Sequence, residues 1–469
     1  MSTLSRRSFT LAGLASSLAF AVSGVSEKSS ETSKAKRPPN LIFLLTDDHR
    51  WDGVGFMGNS QIHTPCLDAL AADGMVFNNA YVTTSICAAS RATILSGQYV
   101  CRHGIDNFKK TFTDEQFENT YPVQLRNTGY TTGFIGKYGV GTTLPETAFD
   151  YWCGFAGQGH YEQQDEKGCY KHLTRIQEEQ ALQFLDRYGK EGSFCLSVSF
   201  KAPHCQDGDP RQFLYDPEYE SLYNDTTIPQ PDYLTDTFSE RFPAFFRKNN
   251  EGRKRWEMRF STPEQFQKMV KAYYRLITGV DHVIGALRQR LEALGIADNT
   301  ILIFTGDNGF FLGDHGLAGK WFGYESSIRV PFVVYDPRLP RELRGARRDD
   351  IVLNLDVAPT LLSLAGITPP EGMQGRDISP LLSGEKVPWR EDFFYEHTFD
   401  HGGIPKSEGV VSRSIKYLRY IDQNPVYEEL LDLQNDPHES TNLVADKAYA
   451  DTLQRMRIRY RELRANACG

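Results

Sequence analysis

A cysteine followed four residues later by an arginine is the first candidate for chemistry in this sequence. The stretch from Ser85 to Gly97 reads Ser-Ile-Cys-Ala-Ala-Ser-Arg-Ala-Thr-Ile-Leu-Ser-Gly. Small residues at its start, an apolar pair near its end and the closing glycine predict a helix that begins near Cys87. The Cys87 thiol would then lie beside unpaired backbone N–H groups, one turn from the Arg91 charge. A small buried cysteine in an ordinary helix would give the same pattern.

Acidic and amide side chains follow two apolar runs of strand length. Asp47 and Asp48 follow the first run, and Asp307 and Asn308 follow the second. Three carboxylates and an amide oxygen, without a thiol or imidazole, form an oxygen-rich set that suits calcium or magnesium rather than zinc. The Asp47-Asp48 pair, taken alone, could instead cap a helix and carry a solvated charge. The recurrence of such a pair at two strand ends favours a metal site.

Basic side chains follow two further apolar runs. Lys137 follows the run 130–135, and His204 follows the run 193–200. A lone lysine is usually a solvated surface charge, and a lone histidine is usually structural. In open α/β sheets, however, ligands bind beyond the carboxyl ends of the strands. We therefore expect these side chains and the four oxygen donors to converge on one site.

The elements that must position these residues alternate along the chain. Strand-like runs are separated by segments with helical patterns and capping residues, at 64–74, 119–129, 174–188 and 262–294. This alternation predicts an α/β fold with a mainly parallel sheet. The polar and aromatic stretch 207–259 interrupts the pattern, and we interpret it as an excursion around a substrate entrance. Its aromatic side chains suit sugar stacking, but they would equally suit a local core.

Length, charge and cysteine usage restrict the class of protein. The 469 residues suffice for one large domain and a smaller one. A formal net charge of −8 argues against non-specific nucleic-acid binding. The eight cysteines include no Cys-x-x-Cys pair and no zinc-like spacing. Among them, Cys153 with Cys169 is the predicted disulfide.

The N-terminus has the pattern of an export signal. Paired arginines in Ser-Arg-Arg-Ser-Phe-Thr precede a short apolar stretch that ends in Ala-Phe-Ala, which predicts a twin-arginine-type signal peptide over 1–21. A frayed N-terminal helix is the alternative. Residues 22–37 are rich in Ser, Lys and Glu and predict a disordered leader. No later stretch is long and apolar enough to span a bilayer. We therefore expect a soluble periplasmic or secreted protein without a stable membrane anchor.

The Cys-x-Ala-Ser-Arg segment resembles the signature of the type I sulfatases, a formylglycine-dependent family within the alkaline-phosphatase-like superfamily. Many members have proline where this chain has Ala89. The resemblance implies that a formylglycine-generating maturase, accepting Cys-x-Ala-x-Arg, oxidises Cys87 after translation. It also implies a formylglycine hydrate as nucleophile and one calcium ion (Ca2+) per chain. The ion would be bound by Asp47, Asp48, Asp307, Asn308 and the residue made from Cys87.

The resemblance extends from Pro39 almost to the end of the chain and implies roles for the basic residues. In this family, residues matching Arg91 and Lys137 hold the formylglycine, and the lysine also reaches the sulfate. His204, in Phe-Lys-Ala-Pro-His, and Lys320, in Leu-Gly-Asp-His-Gly-Leu-Ala-Gly-Lys, match sulfate-contacting residues. His315 lies in the latter motif and is a further catalytic candidate.

The resemblance also implies an alkaline-phosphatase-like architecture in two parts. A catalytic domain, 38–387, would contain a mainly parallel central sheet flanked by helices. A smaller C-terminal subdomain, 388–469, would contain a short antiparallel sheet and a helix, which the segment 445–467 fits.

Gly139 is the main departure from the family pattern. Many members have Gly-Lys-Trp-His-x-Gly where this chain has Gly-Lys-Tyr-Gly-Val-Gly at 136–141. The missing histidine normally assists breakdown of the sulfated intermediate. Either another residue, such as His49 or His315, would take that role, or turnover would be slower, or this chain would belong to a subfamily with its own arrangement.

Taken together, these features predict a sulfatase that hydrolyses a sulfate ester on a sulfated carbohydrate. A phosphodiesterase or phosphonate monoester hydrolase on the same fold is an alternative, because phosphoryl and sulfuryl transfer both use a metal, a nucleophile and cationic groups. A catalytically inactive glycan-binding relative is a second alternative, which Gly139 favours and the intact Cys87 and Arg91 disfavour.

Overall fold

The computed structural model describes residues 37–230 and 238–469. The predicted signal peptide, 1–21, lies outside these residues, as does the predicted leader apart from Arg37. In chain order the strands are β1 (Asn40–Asp47), β2 (Met75–Tyr81), β3 (Thr131–Lys137), β4 (Tyr151–Phe155), β5 (Glu162–Gln164), β6 (Tyr170–His172), β7 (Phe194–Pro203), β8 (Thr300–Gly306), β9 (Phe311–Leu312), β10 (Ala318–Gly319), β11 (Phe332–Tyr335), β12 (Ala346–Leu353), β13 (Asp392–His397), β14 (Ser407–Ser412), β15 (Ile415–Tyr420) and β16 (Tyr427–Asp432).

Helices connect most of these strands. They are α1 (Pro65–Asp73), α2 (Cys87–Ser96), α3 (Val100–His103), α4 (Asp114–Glu118), α5 (Tyr121–Asn127), α6 (Leu173–Tyr188), α7 (Phe238–Arg241), α8 (Ala244–Arg247), α9 (Glu251–Arg259), α10 (Pro263–Leu294), α11 (Glu325–Ile328), α12 (Val357–Leu364), α13 (Ser379–Leu382) and α14 (Ala450–Cys468). None of the helices in the described ranges combines the length and apolar character that a membrane span needs.

A mainly parallel sheet forms the centre of the molecule, which confirms the predicted α/β fold. Its strand order is β12-β2-β11-β8-β1-β7-β3-β4, and only β11 runs antiparallel to its neighbours. Every residue of β1 is buried. Phe43 packs into the core on one face of the sheet, and Ile42 and Leu44 pack into the core on the other. The continuous apolar run therefore serves a strand that is covered on both sides.

Helices cover both faces of this sheet. Side chains of α2, α5 and α12 join the core on one face, whereas those of α1, α6 and α10 join the core on the other. The predicted helices in 64–74, 119–129, 174–188 and 262–294 are confirmed as α1, α5, α6 and α10. The 207–259 excursion contributes α7, α8 and α9. Phe242 and Phe246 stack on each other and are buried, so these two aromatic side chains belong to a local core.

A small antiparallel sheet near the C-terminus, in the order β13-β14-β15-β16, confirms the predicted second sheet. Along each of its strands, successive side chains point to opposite faces of the sheet. Tyr395, Val411 and Leu418 face the main core, whereas Val410 and Tyr417 face a separate cluster that includes residues of α14. One face of the small sheet thus packs on the core of the central sheet, and residues 38–469 form one compact unit. The division at residue 387 stays a prediction.

A disulfide joins Cys101 to Cys468, and the predicted Cys153–Cys169 pairing is wrong. Cys153 instead lies on β4, paired with β3, and Cys169 lies before β6. Packing of α14 near α3 brings the Cα atoms of Cys101 and Cys468 to 5.3 Å across a sequence separation of 367 residues. Long-range docking of this kind has no local sequence signal.

Four residues that we call the lysine clamp join the small sheet to the large one: Tyr81, Glu325, Lys416 and Glu439. The Lys416 Nζ donates to Glu325 at 2.9 Å and to Glu439 at 2.6 Å. Tyr81 Oη donates to Glu325 Oε2 at 3.1 Å, and Glu439 Oε2 accepts the Glu325 backbone N–H at 2.7 Å. The Lys416 side chain is fully buried, so these bonds replace its water shell.

Candidate active site

The helix predicted from the Cys87 segment is present and positions the thiol. It is α2, which begins at Cys87 and ends before Gly97. Gly97 adopts φ 65°, and its N–H closes the helix on the Thr93 carbonyl at 2.8 Å. Glycine reaches this left-handed conformation without steric cost. All ten residues of α2 are buried, so Cys87 is held at the helix start inside the protein.

The strand ends bring the predicted side chains to the same edge of the central sheet. Asp47 ends β1 and Lys137 ends β3, while His204 follows β7 and Asp307 follows β8. These four strands are neighbours in the order β8-β1-β7-β3. Together with residues from α2 and the loop after β10, these side chains form what we call the charged cluster: Asp47, Asp48, Cys87, Arg91, Lys137, His204, Asp307, Asn308 and Lys320.

Asp47 lies at the centre of this cluster. Its Oδ1 accepts from Cys87 Sγ at 3.3 Å, and its Oδ2 lies 3.5 Å from Arg91 Nη2. The Lys137 ammonium forms a close ion pair with the same Oδ2. One carboxylate thus connects the thiol to two cations.

Asp48 links the remaining members. Its backbone N–H donates to Asp307 Oδ1 at 3.2 Å, and Asn308 Nδ2 donates to its Oδ1 at 2.7 Å. Lys320 forms a close ion pair with Oδ1, and His204 Nε2 lies 3.4 Å from Oδ2. Asp48 has φ 61°, a conformation that aspartate tolerates better than most residues. Lys320 also reaches Cys87, with Nζ 2.9 Å from Sγ.

Arg91 crosses the cluster and explains why residue 139 is glycine. Its Nε donates to Asp307 Oδ2 at 2.8 Å and its Nη1 to the Lys137 carbonyl at 2.7 Å. A Cβ at Gly139 would lie 2.6 Å from Arg91 Cδ, and Gly139 has φ 75°. A histidine at this position would therefore collide with Arg91 and strain the backbone.

The mutual charges and the burial of these groups shift their pKa values. Burial raises the pKa of Asp47, but Lys137, His204 and Arg91 outweigh it and hold that pKa well below its usual value. Burial and the Asp47 charge raise the pKa of Asp307 to about 7. Burial, reinforced by Asp47, also raises the pKa of the Cys87 thiol to about 12. The helix N-terminus and Arg91 therefore do not produce a thiolate, because burial and a neighbouring carboxylate dominate.

The histidines of the sequence hypothesis occupy different environments. His204 joins the cluster, and its Nδ1 donates to the Cys205 carbonyl at 2.5 Å, which turns Nε2 toward Asp48. His49 uses both ring nitrogens elsewhere, on Thr46 Oγ1 and on the Gly53 carbonyl, each at 3.0 Å.

His315 packs against Tyr324, Phe311 and Phe242, outside the cluster. Burial is the main cause, and the charge of Arg241 the next, that lowers the pKa of His315 to about 4. Neither His49 nor His315 is thus placed to substitute for a histidine at 139.

Several supporting residues were missed by the sequence analysis. Gln158 Oε1 accepts from Lys137 Nζ at 2.7 Å, and Tyr161 Oη donates to the His204 carbonyl at 2.6 Å. Tyr273 Oη donates to the Asp48 carbonyl at 2.7 Å. Tyr273 lies on the buried face of α10, where its pattern indicates only core packing. Gln158 follows a glycine in a loop and has no sequence signal of its own.

The cluster has the donor set of a hard-cation site. Ligand atoms of Asp47, Asp48, Cys87 and His204 lie within 4.8 Å of one another. Asn308 Oδ1 is buried and has no hydrogen-bond partner, although an unpaired buried oxygen is costly. Carboxylate and amide oxygens are the ligands that calcium prefers. The oxygen donors of Asp47, Asp48, Asp307 and Asn308 therefore fit a calcium ion.

Comparison with known proteins assigns this chain to a family. The family model described as Sulfatase matches residues 39–367, and the model described as N-sulphoglucosamine sulphohydrolase, C-terminal, matches residues 313–466. An N-acetylglucosamine-6-O-sulfatase of Bacteroides thetaiotaomicron is 29% identical, over 88% of this chain and 84% of the relative. An arylsulfatase of Clostridium perfringens is also 29% identical, over 89% of this chain and 93% of the relative.

Solved structures agree with this assignment. A protein in complex with its substrate D-glucosamine-2-N,6-O-disulfate superposes with a TM-score of 0.81 at 25% identity, covering 92% of this chain and 98% of the other. A phosphonate monoester hydrolase from Silicibacter pomeroyi superposes with a TM-score of 0.78 at 20% identity, covering 92% and 96%. The latter likeness shows the fold alone. Because the Sulfatase model matches most of the chain, the protein belongs to the type I sulfatase family and is a sulfuric ester hydrolase.

Proposed function

We propose that this chain hydrolyses a sulfate ester on a sulfated sugar, using a hydrated formylglycine made from Cys87 and a bound calcium ion. The position of Cys87 carries the proposal. Its Sγ lies 3.3 Å from Asp47 Oδ1 and 2.9 Å from Lys320 Nζ, at the start of α2. A nucleophile here would be flanked by oxygen donors for a metal on one side and by a cation for the sulfate on the other.

Asp47, Asp48, Asp307 and Asn308 would hold the calcium ion. Calcium, when bound, supplies positive charge next to the nucleophile and the sulfate oxygens. Arg91, Lys137 and Lys320 formally balance the three carboxylates of this set. A divalent cation would therefore leave the cluster with a net positive charge, which suits an anionic ester.

Arg91 and Lys137 would orient the residue made from Cys87, because both contact Asp47 next to its side chain. A hydrated formylglycine supplies a hydroxyl nucleophile and a second hydroxyl, which avoids the stable ester that an ordinary serine would retain. Lys137 would also bind a sulfate oxygen through Nζ. Gln158 orients that ammonium from the opposite side.

Lys320 would hold the proton for the leaving alcohol oxygen at its Nζ, which already reaches the position of the nucleophile. His204 would bind the sulfate through Nε2 as the imidazolium, because its Nδ1 proton is already donated to the Cys205 carbonyl and a neutral ring would leave Nε2 without a proton. We assign no role in the reaction to His49 or His315, given their engaged or distant rings.

The named relatives support the substrate class that we propose. One similar protein is named an N-acetylglucosamine-6-O-sulfatase, and another is described with a disulfated glucosamine as its substrate. A sulfated amino sugar is therefore the substrate class that we propose for this chain. Export through the twin-arginine-type signal and a maturase partner complete the proposal. The Cys101–Cys468 disulfide supports export, because such bonds persist in oxidising compartments.

The deciding experiment is a mass spectrum of the tryptic peptide 51–91 from protein made in its own host. We expect the mass of an aldehyde in place of the Cys87 thiol. The same preparation should then release sulfate from glucosamine 6-sulfate, a sulfate ester, with chelator-sensitive turnover. An unmodified thiol in every molecule would contradict the nucleophile and favour an inactive glycan binder. Faster turnover of phosphonate or phosphate esters than of every sulfate ester would contradict the sulfated-sugar substrate.

A further inference from the structure

A second polar pocket lies at the opposite end of α2 from Cys87. Its volume is about 550 Å³. The Gly97 carbonyl, just beyond the end of α2, accepts the backbone N–H of Gln374 at 2.8 Å, and Gln374 lines the pocket. Ten helical residues span about 15 Å, so the pocket is separate from the charged cluster. Its lining includes Tyr99, Gln374, Arg376, Trp389, Arg390 and Arg459.

Two of the three arginines in this pocket already have carboxylate partners. Arg390 forms a paired contact with Asp356, in which Nη2 lies 2.8 Å from Oδ1. Arg459 contacts Asp392 through Nε at 2.8 Å and Nη2 at 2.9 Å. These forked pairs neutralise their own charges and fix the walls of the pocket.

Arg376 is different. Among the residues that the structure describes, none accepts a hydrogen bond from its guanidinium or pairs with it. The group lies over the Trp389 ring, 5.6 Å from the centroid, and Arg390 lies 5.2 Å from the same centroid. Loss of water contact is the main cause, and the Arg390 charge the next, that lowers the pKa of Arg376. An exposed cation is thus held beside a second cation, and the nearby Asp356 carboxylate is already paired with Arg390.

The Trp389 ring is fixed by the fold. Its Nε1 donates to the Ile351 carbonyl at 2.7 Å, so the ring holds Arg376 and Arg390 at the pocket wall. Glu391 also lines the pocket and is exposed, and its charge opposes an anionic ligand. The pocket therefore offers one unpaired guanidinium, an aromatic wall and two carboxylates, of which Glu391 opposes an anion and Asp392 is already paired with Arg459.

We propose that this pocket binds an oxyanion group, sulfate or carboxylate, on a sugar unit of a glycan chain, with Arg376 as its main contact. The volume suits a ligand of one or two sugar rings, since binding pockets commonly measure about 300–1,000 Å³. Guanidinium groups bind planar oxyanions through two parallel N–H donors. This inference rests on the proposed function, because it assumes that the chain meets sulfated glycans. The site would hold a glycan away from the bond that is hydrolysed.

The test uses the full chain carrying Cys87→Ala, so that bound glycan is not consumed. A heparin hexasaccharide, which carries sulfate and carboxylate, and a hyaluronan hexasaccharide, which carries carboxylate alone, are titrated by calorimetry. In this background Arg376→Gln should weaken the binding of heparin hexasaccharide about tenfold, as expected for loss of a charged hydrogen bond. Glu391→Gln should strengthen binding, because it removes the opposing charge. Arg461→Gln is the matched control, since Arg461 is exposed on α14 outside the pocket lining, and it should leave affinity unchanged.

The two glycans identify the recognised group. A loss with both would assign the pocket to carboxylate, the group that the two glycans share, and a loss with heparin alone would assign it to sulfate. Equal affinity of the parent and Arg376→Gln for both glycans would overturn the inference. Hydrolysis of glucosamine 6-sulfate by the matured chain with Cys87 restored separates the two proposals. Intact hydrolysis with equal affinity overturns only the glycan pocket, whereas absent hydrolysis contradicts the proposed function.

Discussion

The charged cluster and the lysine clamp are both buried networks of carboxylates and lysines, but they differ in how completely their polar atoms are paired. In the clamp, Lys416 donates hydrogen bonds to the carboxylates of Glu325 and Glu439. Glu325 also accepts a hydrogen bond from Tyr81, and Glu439 also accepts one from the Glu325 backbone N–H. In the cluster, Asn308 Oδ1 and Arg91 Nη2 are buried without a hydrogen-bond partner. The clamp is complete as it stands, whereas the cluster has polar groups left to bind a ligand.

The comparison teaches that a perturbed pKa does not by itself separate a functional site from a structural one. Burial raises the pKa of Asp307 in the cluster to about 7, and burial likewise raises that of Glu439 in the clamp to about 7. Unsatisfied donors and acceptors around a potential nucleophile distinguish the two. Mutations should therefore affect activity in one region and stability in the other.

Cys87→Ala should give the largest effect on activity. We expect turnover to fall on the order of 10⁴-fold or more, as for removal of a nucleophile. The melting temperature should change little, because alanine fits the helix start. Cys195→Ala is the control, since Cys195 is also buried, on β7. Undiminished turnover of an aryl sulfate by Cys87→Ala would show that Cys87 is not the source of the nucleophile. The charged cluster would then no longer be the functional region of the two.

Chelation of calcium should abolish turnover, and added calcium should restore it. Asn308→Ala should then raise the calcium concentration needed for half-maximal turnover by about tenfold or more, because a ligand oxygen is lost. Asn40→Ala is a matched control, since Asn40 Oδ1 is also buried and unpartnered but lies at the other end of β1. An equal calcium response in both variants would show that the unpaired oxygen of Asn308 has no metal role.

Lys416→Met should destabilise the fold without changing kcat. Removing one partner of a buried ion pair typically costs about 3–5 kcal/mol, and here it leaves two carboxylates without their cation. Urea unfolding gives the stability, and turnover is measured well below the transition on the same preparation. A large loss of kcat with unchanged unfolding free energy would contradict the structural role of the clamp.

Glu439→Gln should give the smallest effect, visible as a pH dependence. The folded-state pKa of Glu439 is raised to about 7, above its ordinary 4.5, because of burial. Native Glu439 therefore retains its proton where the unfolded chain loses it, so its contribution to stability falls as pH rises from 4.5 to 7. Glutamine mimics the protonated form, and the variant should gain stability relative to the parent over that window. The gain is at most about 1.4 kcal/mol per pH unit. A difference in melting temperature that stays flat from pH 4.5 to 8 would refute this titration.

Much of the site could be predicted because its residues follow local signals. The apolar run of β1 and the charged residues after it identify both the strand and its functional end. The start of α2 could likewise be predicted from Cys87 and Gly97. The lysine clamp could not be predicted from the sequence, since Tyr81 and Glu439 lie far apart along the chain and neither belongs to a local pattern. The need for glycine at position 139 could not be predicted either, because it depends on the path of the Arg91 side chain, which only the folded chain defines.

The bond between Cys101 and Cys468 also bears on how the protein responds to proteases. Every residue between these two cysteines lies inside one covalent ring. A single cut in an exposed loop of that ring, such as the turn before β6, would produce two fragments that still migrate as one molecule. The fragments would separate only after reduction. A nicked enzyme could thus look intact on a non-reducing gel, and its core packing could hold the charged cluster together.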